Sequence, residues 1–198
     1  MNYYSDKRRG DSAMWLGISN YAPHFLTQAD QFVNLHRELL VSLKGQRLRE
    51  IYILWNLFDD EWCSLSPIVL ITNKTQIELC ANKINEYSLT QNTIEIDIEV
   101  EPSDMGDGEI WRYQWVRYNN FTCDTFITGV EVIELRYDTT VIHDQNEPRN
   151  VGYEFSNWLL HGLGIQTEKD YFSFYNAFDT NGIVKQREQK DFIRYTSL

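Results

Sequence analysis

The feature that most constrains the fold is a succession of short β-forming segments that fills the chain after Gly45. These segments are rich in aromatic and β-branched residues, and turn-forming Asn, Asp or Gly residues separate several of them. Short turns favour antiparallel pairing, because parallel neighbours need a crossover of a dozen or more residues. The pattern predicts strands at 47–58, 67–73, 75–81, 93–101, 109–118, 129–137, 157–165 and 170–178.

One helix is predicted ahead of these strands, over residues 28–43. Thr27 and Asp30 have the spacing of a capping box, with Asp in place of the usual Glu, and Gly45 stands where a helix would end. Apolar residues recur between them at helical spacing: Phe32, Leu35, Leu39, Leu40 and Leu43. We expect this helix to pack on the sheet. The polar residues after 183 predict a short helix or tail, and 143–152 a long loop.

The length of 198 residues suits one compact domain over residues 1–198, of the α+β class and mainly antiparallel β. Two weak internal similarities raise the hypothesis of a duplicated β unit. The residues around Gly45 resemble those around Gly129, and those at Asn82 resemble those at Asn176. A duplication would divide the chain into halves at 27–101 and 109–187, as two tandem β units.

The net charge of −11 is concentrated in the middle of the chain, where residues 51–110 contain 2 basic and 12 acidic residues. Nucleic acids and anionic membranes both require a basic surface, so this distribution argues against either as partner. A basic protein partner, a cation or simple solubility remain compatible with it. We expect the partner to be a basic protein.

The cysteines and the first residues predict a reduced, cytoplasmic protein. Three cysteines with no CxxC spacing do not form a disulfide framework. The N-terminal residues lack the apolar stretch of a signal peptide, and no apolar run is long enough for a membrane span.

The most regular pattern is the strict alternation of aliphatic and acidic residues from Ile94 to Glu101. A strand here would place four carboxylates on one face: Glu95, Asp97, Glu99 and Glu101. Such a row protects an edge strand from aggregation, pairs with basic residues on a neighbouring strand, or forms a docking surface for a basic partner. The docking surface is the functional interpretation that we carry forward.

A second acidic cluster lies in the segment FDDEWC, residues 58–63. Asp59, Asp60 and Glu61 could supply at most two ligands to a cation without help, because neighbouring side chains diverge. The segment therefore predicts a solvated loop, with a metal or acid/base site as the alternative. We assign Asp59, Asp60 and Glu61 to the partner-binding surface. Their negative charge makes Cys63 a poor nucleophile.

The third candidate is an aromatic stripe of Trp111, Tyr113 and Trp115, which would share one face of a strand. Aromatic residues with interleaved arginines are typical of single-strand nucleic-acid platforms, but the acidity of the chain opposes that function. The stripe is either part of the core or the wall of a ligand cleft.

Nothing in the sequence assigns a catalytic residue, a metal or a cofactor. The four histidines lack zinc-site spacing, and there is no G-x-S-x-G motif. Small, acidic, β-rich proteins without catalytic motifs resemble, at the level of class, the immunity proteins that bacteria make against their own toxins. The resemblance implies a non-catalytic module that neutralises a basic partner. The alternatives are a small-molecule-binding β domain with an aromatic-lined cleft, and a hydrolase that uses Asp59, Asp60, His143 and Asp144.

Overall fold

The computed structural model describes residues 14–104, 109–119, 124–139 and 155–198. Within these ranges the chain forms one helix and fifteen strands. In chain order they are β1 (Met14–Trp15), β2 (Ile18–Ser19), α1 (Ala29–Ser42), β3 (Arg47–Asn56), β4 (Glu61–Trp62), β5 (Ile68–Thr72), β6 (Gln76–Asn82), β7 (Glu86–Gln91), β8 (Ser103–Asp104), β9 (Ile110–Trp111), β10 (Tyr113–Arg117), β11 (Thr125–Thr139), β12 (Phe155–Thr167), β13 (Tyr171–Asn176), β14 (Asn181–Val184) and β15 (Ile193–Ser197).

Eight of these strands form one continuous antiparallel path in the order β14-β13-β12-β11-β3-β5-β6-β7. β10 and β4 also pair with β3, and β15 pairs with β11. All strand pairs among the described residues are antiparallel, so the mainly antiparallel α+β class predicted from the sequence is confirmed. Within the described residues, α1 is too short and too polar to cross a membrane.

The sheet path folds back on itself into two layers. β13 lies against β6, and β12 lies against β7, although these strands are far apart in the path. Hydrogen bonds join the layers: the Tyr87 hydroxyl donates to the Phe174 carbonyl at 3.0 Å, and the Asn176 amide donates to the Lys83 carbonyl at 2.6 Å. These bonds satisfy polar groups that the layers bury.

The main core lies between the layers and under α1. It draws aliphatic and aromatic side chains from both layers, including Ile51, Leu70, Leu79, Leu163, Phe172 and Phe174. α1 contributes Phe32 and Leu40, and Leu43 follows directly after its last residue; all three are completely buried. Burying a side chain of this size contributes about 1.5–3 kcal/mol, so these three residues hold α1 on the sheet.

The ends of α1 differ in part from the prediction. The residue before the helix is Gln28, which makes no side-chain capping bond, so the capping box at Thr27 is wrong. Asp30 instead accepts a bond from the Gln31 amide at 2.8 Å. Gly45 follows the helix with φ +78°, the left-handed conformation that favours glycine, and this end is as predicted.

A second apolar cluster covers the outer surface of the layer that contains β3 and β5. Leu54, Val69, Cys80 and Trp115 lie beneath side chains from two peripheral segments. The covering residues are Ile18 and Tyr21 near the N-terminal hairpin, with Ile94 and Val100. The chain after β7 therefore crosses the outer surface of the sheet.

Two groups of five strands match in their order and hydrogen-bond register. We call β3, β5, β6, β7 and β10 the first unit, and β11 to β15 the second unit. β3 and β5 pair at Leu48–Thr72 and, after a bulge, at Glu50–Ile71. β11 and β12 pair at Ile127–Thr167 and, after the corresponding bulge, at Gly129–Gln166. Corresponding residues of β3 and β11 are 79 positions apart in the sequence, and those of β5 and β12 are 95 positions apart.

The match continues through the turns and the added strands. In the first turn the Thr75 amide donates a hydrogen bond to the side-chain oxygen of Thr72 at 2.9 Å. In the second turn the Asp170 amide donates to the side-chain oxygen of Thr167, also at 2.9 Å. β10 pairs with 52–56 of β3, and β15 pairs with the corresponding residues 131–135 of β11. The units meet where Arg47 pairs with Phe126, positions that themselves correspond.

This register differs from the internal similarity seen in the sequence. The sequence comparison aligned Gly45 with Gly129, whereas the hydrogen bonds of β3 and β11 make Gly45 correspond to Asp124. It also placed residues from 109 onward in the second half, whereas β10 pairs with β3 of the first unit. The correspondence between the units is geometric, and a tandem duplication remains a hypothesis.

Several predicted segments take another structure. Residues 94–101 form no strand, and the predicted strand at 109–118 is divided at Arg112 into β9 and β10. The C-terminal segment predicted as a helix or tail contains β15, and β7 was not predicted. The predicted loop at 143–152 lies outside the described residues.

Candidate functional site

The end of β3 brings together two of the three sets of residues singled out in the sequence. β4 pairs with one edge of this end, where Trp62 faces Trp55. β10 pairs with the other edge, where Tyr113 faces Asn56. The FDDEWC segment and the aromatic stripe are therefore neighbours in space, although about fifty residues separate them in sequence.

We call the residues at this place the β3-end surface; its exposed members are Leu57, Phe58, Asp59, Asp60, Glu61 and Ile110, and its half-buried member is Trp111. The amide of Leu57 donates to the carbonyl of Arg112 at 2.9 Å, which joins the two segments. The rings of Phe58 and Trp111 stack with centroids 6.3 Å apart and planes 16° apart. Phe58 is 54% exposed and Ile110 is 59% exposed, so both apolar side chains face solvent.

Two carboxylates of the β3-end surface, Asp59 and Asp60, are held in place by uncharged donors. The Asn56 amide donates to Asp59 at 2.7 Å, and the Trp55 indole donates to Asp60 at 3.0 Å. Within the described part of the chain, no ion pair involves Asp59 or Asp60. The surface therefore presents oriented negative charge beside the exposed ring of Phe58.

The acidic segment, residues 94–101, takes a different form from the predicted strand. Ile94 and Val100 are buried at its two ends, and the amide of Ile98 closes a turn on the carbonyl of Glu95 at 3.1 Å. Its four carboxylates are exposed, but the turn prevents them from forming a straight row: Glu95, Asp97, Glu99 and Glu101. The alternating segment thus forms a loop that is anchored at both ends. The predicted strand with a row of four carboxylates on one face is wrong.

Glu78 anchors the start of the acidic segment and was missed in the sequence. Its side chain is completely buried on β6, and its oxygens accept from the Thr90 hydroxyl at 2.6 Å and the Thr93 amide at 3.0 Å. The Gln76 amide adds a third bond at 2.7 Å. The one sequence signal was its position between two apolar residues, Ile77 and Leu79, in a predicted strand. A carboxylate buried in such a strand needs hydrogen-bond donors.

The aromatic stripe does not act as one wall. Trp111 lies in the β3-end surface, whereas Trp115 is 8% exposed and belongs to the outer apolar cluster, with Tyr113 packed against it. The cavity beside Trp115 has a volume of about 10 Å³. That volume accommodates about one water molecule.

The structure brings together no metal or nucleophile site within the part of the chain that it describes. No group of three or more His, Cys, Asp or Glu side chains there is placed to hold a metal ion. His143 and Asp144, which the hydrolase alternative requires, lie outside the described residues. Burial raises the pKa of the Cys80 thiol to about 12, which keeps this thiol protonated.

No protein-family model matches the chain, and the comparisons with curated proteins and with solved structures found no match either.

Proposed function

We propose that the protein is a non-catalytic interaction module that binds a basic protein partner through the β3-end surface, as an immunity-type protein would bind a toxin. In this proposal the protein works in the cytoplasm. Asp59, Asp60 and Glu61 attract the partner, and Phe58 and Trp111 provide the apolar contact.

The observation that carries the proposal is the exposed ring of Phe58, stacked on the half-buried Trp111, beside carboxylates that have no cationic partner among the described residues. Exposed aromatic residues are enriched in protein interfaces and dominate their binding energy. Uncompensated carboxylates accelerate association with a positive surface and disfavour a negative one. The excess of acidic residues between 51 and 110 extends this negative field beyond the surface itself.

The acidic segment has a secondary part in the proposal. Its exposed carboxylates lead directly into β8, which pairs with β9 and thus with Trp111. Glu95, Asp97, Glu99 and Glu101 therefore strengthen the field around the β3-end surface without forming an ordered row. Their effect on binding should be smaller than that of Asp59 and Asp60, because charges at a distance are screened by salt.

The test is affinity capture from the organism's own lysate, with identification of the retained proteins by mass spectrometry. The matched variant is D59N/D60N/E61Q, because Asn keeps the oxygen that accepts the bonds from Asn56 and Trp55 but removes the charge. We expect the wild type to retain a basic protein that the variant does not retain. Raising the salt concentration should elute this protein from the wild type. The product of the gene adjacent to this one should be tested first.

Unchanged thermal unfolding of the variant is the control that separates lost binding from lost structure. A captured protein with no basic surface, or equal retention by wild type and variant, would overturn the proposal. A small-molecule function would then become the better explanation, although the cavity beside Trp115 is too small for a metabolite.

We also propose that the first and second units arose by duplication. The matching bulges at 48–50 and 127–129, together with the matching turns, support this origin. Related sequences, once aligned, should show similar residue preferences at positions 79 apart in β3 and β11 and 95 apart in β5 and β12. Preferences no more similar at these separations than at shifted ones would contradict it.

A further inference from the structure

The turn between β13 and β14 presents the most exposed large apolar side chain of the described residues, Phe178, which is 64% exposed. Phe178 and Asp179 are its two central residues, and the Ala177 amide closes the turn on the Thr180 carbonyl at 2.7 Å. The central residues have φ angles of +58° and +76°, the pattern of a type I′ turn. This turn prefers Asn and Gly, so a phenylalanine opposes the local preference of the backbone.

Two observations indicate that the fold does not require the ring of Phe178. A bulky side chain in the left-handed conformation is strained relative to Asn or Gly. The ring is also mostly in solvent, so its burial contributes little to stability. Backbone strain that folding does not require is concentrated at functional sites. Phe178 is therefore a candidate contact residue for a partner.

The turn between β6 and β7 lies beside the Phe178 turn. The side-chain amide of Asn176, at the end of β13, donates to the carbonyls of Lys83 and Glu86 at 2.6 and 3.2 Å. Between these two residues in sequence is Ile84, whose side chain is 38% exposed. Lys83 and Glu86 form an ion pair at 2.7 Å, so their charges compensate each other. The turn therefore adds an apolar side chain beside a neutral pair.

The segment between β4 and β5 is joined to the same hairpin. The main-chain amide of Asn181, at the start of β14, donates to the Ser64 carbonyl at 2.7 Å, and its side chain donates to the Ser66 carbonyl at 2.9 Å. Leu65 lies between these two carbonyls and is 52% exposed. We call the exposed apolar residues of the three joined segments the hairpin-end patch; its members are Leu65, Ile84 and Phe178.

The hairpin-end patch and the β3-end surface lie at the same end of the first unit. β5 is antiparallel to both β3 and β6, so β3 and β6 run in the same direction. β3 therefore leads into the β3-end surface at the end where β6 leads into the turn of Ile84. The short segment from Glu61 to Leu65 connects the two surfaces along the chain. A protein that docks at one surface is thus placed to contact the other.

The size and charge of the two surfaces favour one shared partner. A stable interface includes about 20–30 residues on each side, far more than the β3-end surface alone provides. Asp179 is exposed next to Phe178, as Asp59 is exposed next to Phe58. Both places therefore match a partner that presents an apolar pocket beside a basic side chain.

We propose that the hairpin-end patch is a second contact site for the basic protein partner. Phe178 enters an apolar pocket of that partner, and Asp179 pairs with a Lys or Arg at the rim of the pocket. This inference rests on the proposed function for the identity of the partner. Aromatic residues that fill such pockets supply much of the binding energy of an interface. Removal of the ring from water on binding also offsets the strain of the turn.

The first test is photo-crosslinking of the full-length chain in cells of its own organism. The cross-linking residue p-benzoylphenylalanine replaces Phe178, Phe58 or, as the matched control, Phe126. Phe126 is 44% exposed and pairs with Arg47 at the start of β3, the opposite end of that strand from the β3-end surface. We expect the same basic protein in the adducts of positions 178 and 58, and none of it at position 126.

The pattern of adducts separates this inference from the proposed function. Adducts at position 58 alone would overturn the inference and leave the β3-end surface as the binding site. A basic protein at position 178 alone would support the hairpin-end patch and overturn the β3-end surface. The inference is also overturned by the same protein in equal amount at position 126, or by a second copy of this chain as the adduct of position 178.

The second test uses F178N, which separates a binding role of the ring from a structural one. Asn suits the left-handed turn, so we expect the urea midpoint of unfolding to stay the same or rise. The affinity for the cross-linked partner should fall at least tenfold, whereas F126N should leave that affinity unchanged. Unchanged affinity of F178N would overturn the inference. A lower unfolding midpoint would also overturn it, because the ring would then serve folding.

Discussion

At the scale of single residues, the charged groups that the fold buries are those with defined partners. Glu134 of β11 has an almost completely buried side chain, and both of its oxygens bond to Arg194 at 2.6 Å. Arg194 also lies over the ring of Trp158, 4.5 Å from its centroid. This bidentate pair fastens β15 to β11 and so attaches the last strand to the second unit.

Removal of Arg194 should therefore destabilise the protein. R194A leaves the buried carboxylate of Glu134 without a donor, and we expect a loss of about 2 kcal/mol in the free energy of unfolding. The control is K190A, which breaks the more exposed pair of Lys190 with Glu188 and should cost less than about 0.5 kcal/mol. Urea unfolding measures both, and equal losses would contradict this role of Glu134.

Glu78 should control the order of the acidic segment. E78A removes the acceptors of Thr90 and Thr93, and we expect a loss of about 2 kcal/mol in unfolding free energy. Amide exchange at 93–98 should also increase more than the global loss explains. E78Q keeps one oxygen and should lie between wild type and E78A. Unchanged exchange at 93–98 would show that Glu78 does not order the segment.

His161 should make stability depend on pH. Burial lowers the pKa of this side chain to about 4 in the folded state, partly offset by Glu188, against 6.5 for an exposed histidine. The unfolded chain therefore binds a proton that the folded chain does not, and stability falls as pH drops from about 6.5 to about 4. This contribution is about 2 kcal/mol between pH 7 and pH 4.5.

The variant H161Q should reduce that pH dependence, whatever its effect on stability at pH 7. Urea unfolding of wild type and H161Q at several pH values between 4.5 and 7 gives the difference in slope. The exposed His24 serves as the matched control, as H24Q. Parallel curves for wild type and H161Q would show that His161 is not kept neutral by burial.

At the scale of elements, the sequence predicted the strands that have an apolar centre and a clear turn. β5 and β6 with the turn at Asn73–Lys74 were predicted because several apolar residues and a turn signal agree there. Residues 94–101 gave the most regular alternation and yet form no strand. A strand needs a neighbour for its main chain, and this segment is fixed instead by Glu78 and by two buried aliphatic residues.

β7 and β15 were missed for the opposite reason. β7 is short and alternates only Tyr87 and Leu89 with polar residues, and β15 follows a run of charged residues that resembles a solvated tail. Both strands are stabilised by partners distant in sequence. The contact of Phe58 with Trp111, which defines the candidate site, likewise depends on β10 pairing with β3, and one sequence does not encode that pairing in a local pattern.

At the scale of the whole molecule, a single core serves both units. Side chains from β3 to β7 and from β11 to β14 meet in one cluster, and hydrogen bonds of Asn181 to the carbonyls of Ser64 and Ser66 close the layers. The segment that directly follows β4 is therefore attached to the second unit. This attachment gives the β3-end surface a rigid base, which lowers the entropic cost of binding.

The most direct measurement of the central claim is the affinity of the captured basic partner as a function of salt. Neutralising three exposed charges should weaken binding about tenfold or more at low salt, and F58A should weaken it about thirtyfold. We predict that D59N/D60N/E61Q binds more weakly than wild type and with a shallower salt dependence. Equal affinities and equal salt slopes for the two proteins would show that the β3-end surface does not bind the partner.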